Sequence, residues 1–127
     1  MLKYTEEKIF TQEQVQQLFL SINWVSGNYP KRLCKALMNS STVLTVWDGD
    51  FLVGLIRVLD DTEMLAQIHY VLVHPDYQRK EIASKMIGYI KEKYKDFMYL
   101  EVMPEDKNNM LFYKKNGITL MENEIAM

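Results

Sequence analysis

Apolar positions recur along this chain at two spacings, one fitting helices and one fitting strands. Residues 2–10 read as a short first strand. Thr11 and Gln14 make a capping-box pair, and Val15, Leu18, Phe19 and Ile22 follow at helical spacing. Gly27-Asn28-Tyr29-Pro30 is a break. Pro30 can open a second helix at its first position, with Leu33, Ala36 and Leu37 as its apolar face and Asn39-Ser40-Ser41 as its end. Residues 42–47, 51–59 and 64–73 are three antiparallel strands. Asp48-Gly49-Asp50 is a tight hairpin signal, Asp60-Asp61 is the second turn, and Pro75 ends the third strand because it has no amide to donate. Ile82, Met86, Ile87 and Ile90 mark a helix over residues 79–94, and residues 97–102 form a strand stopped by Pro104. Residues 108–115 read as a helix ending at Gly117, a left-handed cap, and residues 118–125 as a final strand or hairpin. The order is β-α-α-β-β-β-α-β-α-β. With one β-α-β crossover it predicts an α+β domain, a mixed central sheet with helices on both faces.

At 127 residues the chain is expected to be a single domain, residues 1–127, and its 48% hydrophobic content is ample for a core. A net charge of −2 gives no overall attraction to nucleic acid or an anionic membrane. Lys80, Lys85, Lys91, Lys93 and Lys95 do lie close together, mostly as a solvated helix face. Cys34 is the single cysteine, so neither an intramolecular disulfide nor a cysteine zinc site can form, and no metal is expected. It falls in a helical apolar pattern and reads as core rather than nucleophile. The N-terminus has no hydrophobic signal region, and no apolar run reaches the roughly 20 residues of a membrane span. The expected location is the cytoplasm.

The most informative stretch is residues 71–84. An apolar strand, Val71-Leu72-Val73, runs into the turn His74-Pro75-Asp76-Tyr77, and a polar loop then opens an amphipathic helix. The first-turn amides of a helix lack internal partners and its dipole is positive there, which suits a phosphate or pyrophosphate. The strand that delivers such a loop can hold an extended ligand along its edge.

These residues resemble the GNAT superfamily of acyl-CoA-dependent N-acetyltransferases. The family signature Gln/Arg-x-x-Gly-x-Gly/Ala after a Val-x-Pro strand end is matched by Gln78-Arg79-Lys80-Glu81-Ile82-Ala83 after Val73-His74-Pro75. A second signature, Asn-x-x-Ala-x-x-Phe-Tyr-x-x-x-Gly-Phe, is echoed from Asp106 through Phe112-Tyr113 to Gly117-Ile118. Leu52-Val53-Gly54-Leu55-Ile56-Arg57 is a weaker third match. The resemblance covers nearly the whole chain and implies the GNAT-type (acyl-CoA N-acyltransferase) fold.

The resemblance also implies a site. Acetyl-CoA would be the co-substrate, its pantetheine arm pairing with the backbone of Val71, Leu72 and Val73 in a gap beside the next strand. Its pyrophosphate would lie on the amides of Arg79, Lys80, Glu81, Ile82, Ala83 and Ser84, with Gln78 and Asp106 also in contact. Transfer would proceed by direct attack of a primary amine in a ternary complex. That needs a base for the amine proton, alignment, an oxyanion donor such as a backbone N–H near Leu72, and a proton for the departing thiolate. Tyr113 holds the position where the family often places a tyrosine acid. Glu101 matches a catalytic glutamate of some relatives, and burial between Leu100 and Val102 would raise its pKa. His69, near the gap, is a second candidate base, and water alone a third. Trp24, Tyr29, Arg57 and Tyr70 are candidate acceptor contacts: aromatics suit an apolar or cationic amine, Arg57 a carboxylate. The default acceptor is the primary amine of a small molecule, a small amine or amino-acid-like metabolite, with a peptide N-terminus or a protein lysine as alternatives. The oligomeric state is open: relatives often dimerise, and the apolar tail (Ile118, Leu120, Met121, Ile125, Met127) can either extend a sheet across a partner in a homodimer or complete the chain's own sheet.

One residue departs from the pattern. Glu81 stands where the family usually has Gly, and a side chain there would crowd the phosphates, with a carboxylate adding repulsion. The alternative function is therefore a catalytically weak or inactive CoA-binding sensor, or a protein-interaction module of the same fold.

Overall fold

The computed structural model describes residues 1–78, 81–102, 115, 117, 119 and 120. Six strands form one sheet in chain order: β1 Leu2–Thr5, β2 Thr42–Asp48, β3 Phe51–Asp60, β4 Leu65–Val73, β5 Tyr99–Val102 and β6 Thr119–Leu120. β1 to β4 are antiparallel neighbours, and β5 and β6 join in parallel. α1 (Gln12–Ser21) and α2 (Pro30–Met38) cover one face, while α3 (Ile82–Lys93) covers the other.

Local chemistry accounts for most boundaries. Thr11 and Gln14 form the expected reciprocal capping box on α1, and Pro30 opens α2. Gly49 and Gly117 take left-handed backbones, at φ 61° and 76°. The first strand is shorter than its pattern predicted. β1 pairs with β2 only from Leu2 opposite Asp48 to Thr5 opposite Thr45. Beyond that, Lys8 donates to the carbonyls of Met38 and Ser40 at the C-terminus of α2, and Phe10 is buried beside α1. Strand β5 also starts later than expected, at Tyr99. The helix expected over residues 108–115 and most of the terminal strand lie outside the described residues, apart from Lys115 and β6, so the tail on which a homodimer was argued does too.

Two apolar clusters sandwich the sheet. Ile82, Met86, Ile87 and Ile90 of α3 are buried against Val46, Val53, Ile56 and Val58. Each such side chain contributes roughly 1.5–3 kcal/mol relative to exposure. Gly54 makes the approach possible, since a Cβ there would come 3.3 Å from both Ile82 and Val46. On the opposite face Val15, Leu18, Phe19, Leu33 and Leu37 pack on Val43, Trp47, Leu55, Tyr70 and Leu72. Cys34 is half-buried beside this second cluster, as its helical spacing predicted. At its far end α3 is tied to the sheet through Tyr94, whose hydroxyl bonds Thr42 at 2.7 Å and donates to Asp60 at 2.6 Å. Burial, then this contact with Asp60, pushes the Tyr94 phenol well above its ordinary range. Glu6 accepts hydrogen bonds from Tyr89 and Lys93 of α3. Desolvation opposes its ionisation, but these two donors outweigh it and lower its pKa. No helix among the described residues is long and apolar enough to cross a membrane.

Candidate active site

The site is organised by one extra residue in β4. Arg57 lies opposite Tyr70, but Val58 lies opposite Ile68, so His69 is a β-bulge. Side chains alternate between faces, so an inserted residue reverses the alternation beyond it. Ala66 and Ile68 point to the α3 core. Past the bulge, Tyr70 and Leu72 point to the α1/α2 core, and Val71 and Val73 to the α3 side.

The same strand leaves an open edge. β5 pairs with β4 only from Leu65 opposite Tyr99 to Ile68 opposite Val102. Residues 69–73 have no strand on that side among the described residues. The amide of His74 donates to Val53 O at 2.8 Å, which fixes the hydrogen-bonding phase of the ladder. Leu72 and Tyr70 therefore turn their backbone groups toward β3, and Val71 and Val73 turn theirs to the open edge. Leu72 itself cannot serve as the edge donor; the amides placed for that role are those of Val71 and Val73. The side-chain amide of Gln78 reaches this edge too, donating to Val73 O at 3.2 Å.

The open edge leads to the N-terminus of α3. Val73, Tyr77, Gln78, Glu81, Ile82, Ala83 and Ser84 line a cleft of about 270 Å³ there. The helix starts at Ile82, three residues later than the sequence predicted, because Glu81 is left-handed at φ 62°, ψ 17°. The first intrahelical bond at this end runs from Lys85 N to Glu81 O at 3.0 Å. The amides of Ile82, Ala83 and Ser84 precede it and face outward from the helix end. The left-handed backbone is a physical reason for glycine at this position, independent of ligand crowding. Arg79, Lys80, Asp106 and Tyr113 lie outside the described residues.

A second cleft, of about 340 Å³, opens on the α1/α2 face. Tyr70 forms its floor, Val25, Ser26 and Tyr29 one wall, and Arg32, Leu33 and Ala36 of α2 the other. Tyr70 is largely buried, and its ring meets Phe19 edge-on at 4.9 Å and Trp24 at 5.8 Å. Its hydroxyl bonds Ser26 at 2.6 Å. Trp24 is half-buried in this aromatic stack and is not a lining residue, whereas Tyr29 is exposed at the mouth under Arg32. Sequence reasoning missed Ser26, Arg32 and Ser40, which carry no motif; only the cross-strand and helix–sheet packing brings them to Tyr70 and Arg57.

Arg57 projects to the same face. Its Nε donates to Ser40 at 2.8 Å, its Nη1 meets His69 Nδ1 at 2.7 Å, and its guanidinium lies 5.6 Å from the centre of the Tyr70 ring. Arginine has no acceptor atoms, so His69 Nδ1 must accept and Nε2 carries the proton. Burial, then the Arg57 charge, lowers the His69 pKa. Its one basic lone pair is thus already engaged, which argues against His69 as the base. Glu101 is half-buried, opposite Gln67 on β4. It sits beside Val102, which points to the α3 core, so Glu101 points to the acceptor-cleft face. No group of three or more metal-ligating side chains exists among the described residues.

A mixed sheet with an interrupted β4–β5 ladder, feeding a helix N-terminus, is the architecture expected from the resemblance. The Acetyltransferase (GNAT) family profile matches residues 8–118, and the chain belongs to this family. It is 31% identical over 112 residues to an uncharacterised N-acetyltransferase, ycf52-like, of Prochlorococcus marinus, covering 84% of this chain. The chain spans 62% of the length of that relative. Among solved structures, a GNAT family acetyltransferase of Streptococcus pneumoniae superposes with TM-score 0.78 at 27% identity, over 93% of this chain and 87% of that one. A protein of meticillin-resistant Staphylococcus aureus gives 0.83 at 26% identity, over 100% and 95%. An aminoglycoside 6′-N-acetyltransferase complexed with coenzyme A shares the fold at TM-score 0.63 and 17% identity, over 73% of this chain and 55% of that one.

Proposed function

We propose that this chain transfers an acetyl group from acetyl-CoA to a primary amine by direct attack in a ternary complex. The observation that carries the reading is the open edge at Val71 and Val73 leading into the cleft at Gln78, Glu81 and Ser84. That arrangement fits an extended arm ending in a diphosphate. The amides of Ile82, Ala83 and Ser84, with those of Arg79, Lys80 and Glu81, would hold the diphosphate, and Gln78 and Asp106 would add contacts. Bound acetyl-CoA supplies an activated carbonyl and a thiolate leaving group.

The chain's own residues do the rest. A Val71 or Val73 amide would donate to the carbonyl oxygen as charge develops there. Glu101, on the acceptor face, would take the ammonium proton directly or through water, leaving the neutral amine to form the new C–N bond as the C–S bond breaks. The attacking nitrogen would lose its second proton to water as the amide forms, and Tyr113 would give a proton to sulfur and be reprotonated from solvent. Trp24 would act by stiffening Tyr70, and Tyr29, Tyr70 and Arg57 by contacting the acceptor.

The left-handed carboxylate at Glu81 favours a second reading, a chain that binds CoA weakly or not at all. Acetyl-CoA-dependent thiol release with an amine panel, run beside thermal unfolding with CoA, separates them. Turnover is expected. Stabilisation without turnover would mean a sensor; neither would mean an interaction module.

A further inference from the structure

The acceptor cleft has an unusual charge. Between Glu13 and Asp48 the chain contains no Asp or Glu, although it has 17 acidic residues in all. That acid-free run comprises nearly all of α1, the turn after it, α2 and most of β2. It carries Lys31, Arg32 and Lys35, all exposed on α2. The cleft lining contains no acid and one cation, Arg32. Along this wall a polycationic amine would meet the Arg32 charge and no carboxylate.

Arg57 adds the second element. Its partners are a hydroxyl, an imidazole and an aromatic face. Among the described residues no carboxylate pairs with it, and its two protein hydrogen bonds use Nε and Nη1, leaving Nη2 without a protein acceptor there. A half-buried guanidinium is costly to keep without an anion, and its planar fork matches a carboxylate. Ser40, which receives Nε, follows α2 and bonds back to Ala36 O at 2.8 Å, so Arg57 lies where the α2 wall of the cleft ends. Arg57 is cross-strand from Tyr70, one strand spacing inward from the open edge, or about 4.8 Å.

We propose that the acceptor is an amine bearing a carboxylate, its acid end on Arg57 with Arg32 at the mouth and its nitrogen toward the β4 edge. Polyamines and other polycations are turned away. The inference rests on the acyltransferase reading and names its substrate class.

The test uses the whole chain and matched acceptors: glycine, leucine, phenylalanine and aspartate, each beside its carboxamide, with spermidine as the polycation. The acids are expected to exceed their amides at least tenfold in kcat/KM, with spermidine the poorest. Arg57→Gln should reduce that ratio to near one, and Arg57→Lys should keep part of it. Equal use of acid and amide, a ratio that survives Arg57→Gln, or spermidine as best acceptor would overturn the proposal. A folding-independent check is the Arg57 Nε–H signal by ¹⁵N NMR of the parent, which should move with the acids and not the amides. If none of the four acids moves it, the proposal fails. Calorimetry with CoA alone reports separately on the reading beneath. CoA binding without acid preference refutes the substrate class only. A responsive Arg57 signal without CoA binding refutes the acyltransferase reading and leaves an amino-acid site.

Discussion

Replacing Glu81 with glycine should change ligand affinity far more than stability. Glu81 is left-handed, which for a non-glycine residue costs roughly 1–2 kcal/mol. Glycine removes that cost but regains about 0.5–1 kcal/mol of freedom in the unfolded chain. It also gives up a carboxylate beside a helix N-terminus, worth roughly 0.3–1 kcal/mol. The three nearly cancel, so the unfolding free energy of Glu81→Gly should stay within about 1 kcal/mol of the parent. The ligand sees no such cancellation. Glu81 lines the cleft with Gln78 and Ser84. One phosphate charge at about 4 Å repels a carboxylate by about 1 kcal/mol even in water, and a diphosphate brings two. CoA should therefore bind about tenfold tighter to the variant, equivalent to about 1.4 kcal/mol. Glu81→Gln keeps the side chain and loses the charge, so it should recover most of the gain. Raising salt toward 1 M shortens the screening length to about 3 Å and should narrow the gap between parent and Glu81→Gln. The assay is calorimetry with CoA, with urea unfolding alongside. Equal or weaker binding by Glu81→Gly refutes the placement of the diphosphate.

Three further outcomes follow from particular side chains. Tyr113→Phe should lower kcat about 100-fold, within the usual range for a general acid, while CoA affinity by calorimetry stays the same; a kcat within twofold of the parent removes Tyr113 from the mechanism. The Tyr4 hydroxyl is buried without a hydrogen-bond partner among the described residues, and burial raises its pKa, so Tyr4→Phe should stabilise by about 1 kcal/mol in denaturant unfolding; a loss of stability would mean the hydroxyl is satisfied. His69 has a lowered pKa when folded and its ordinary value of 6.5 when unfolded, so the unfolded chain binds more protons in between. Its contribution is complete above about pH 6.5 and is lost as pH falls through the folded value; unfolding free energies from pH 7.5 to 5 should slope downward in the parent and less steeply in His69→Gln, and parallel slopes would contradict the neutral tautomer.

How much of this could be read from the sequence depended on the range of the forces involved. The capping box at Thr11, the proline start of α2 and the β2–β3 hairpin are set by neighbours in the chain, and they appear where expected. The sequence predicts that the first strand runs through residues 6–10. β1 ends although β2 runs on to Thr42, and what captures Lys8 instead is the end of α2, thirty or more residues away. The start of α3 was misplaced for a different reason. Residues 79–81 carry good helix formers, and propensity does not reveal that Glu81 is left-handed. In the site, motif spacing pointed to the segment that forms the cleft at the start of α3, but not to the hydrogen-bonding phase that leaves Val71 and Val73, rather than Leu72, facing the open edge. Nor could it reveal that Arg57 engages the lone pair of His69.

The bulge at His69 connects these failures. Residues 66–70 alternate apolar and polar and residues 71–73 continue as an apolar run, which reads as one regular strand, so no local signal announces an inserted residue. Without it, Tyr70 and Leu72 would follow Ala66 and Ile68 into the α3 core, and the acceptor cleft would lose its floor. With it, the strand twists more strongly at the residue after the last β4–β5 pair. The acceptor floor and the open edge thus have one cause, and they come from opposite properties of the same strand. Side chains of Tyr70 and Leu72 build one face, while the backbone of Val71 and Val73 is left to the edge. On the proposed substrate class, a residue at this bulge has to fill the space beside Arg57 without supplying a competing carboxylate. An imidazole that accepts from the guanidinium does so, and would leave the remaining donors of Arg57 for the acceptor's acid.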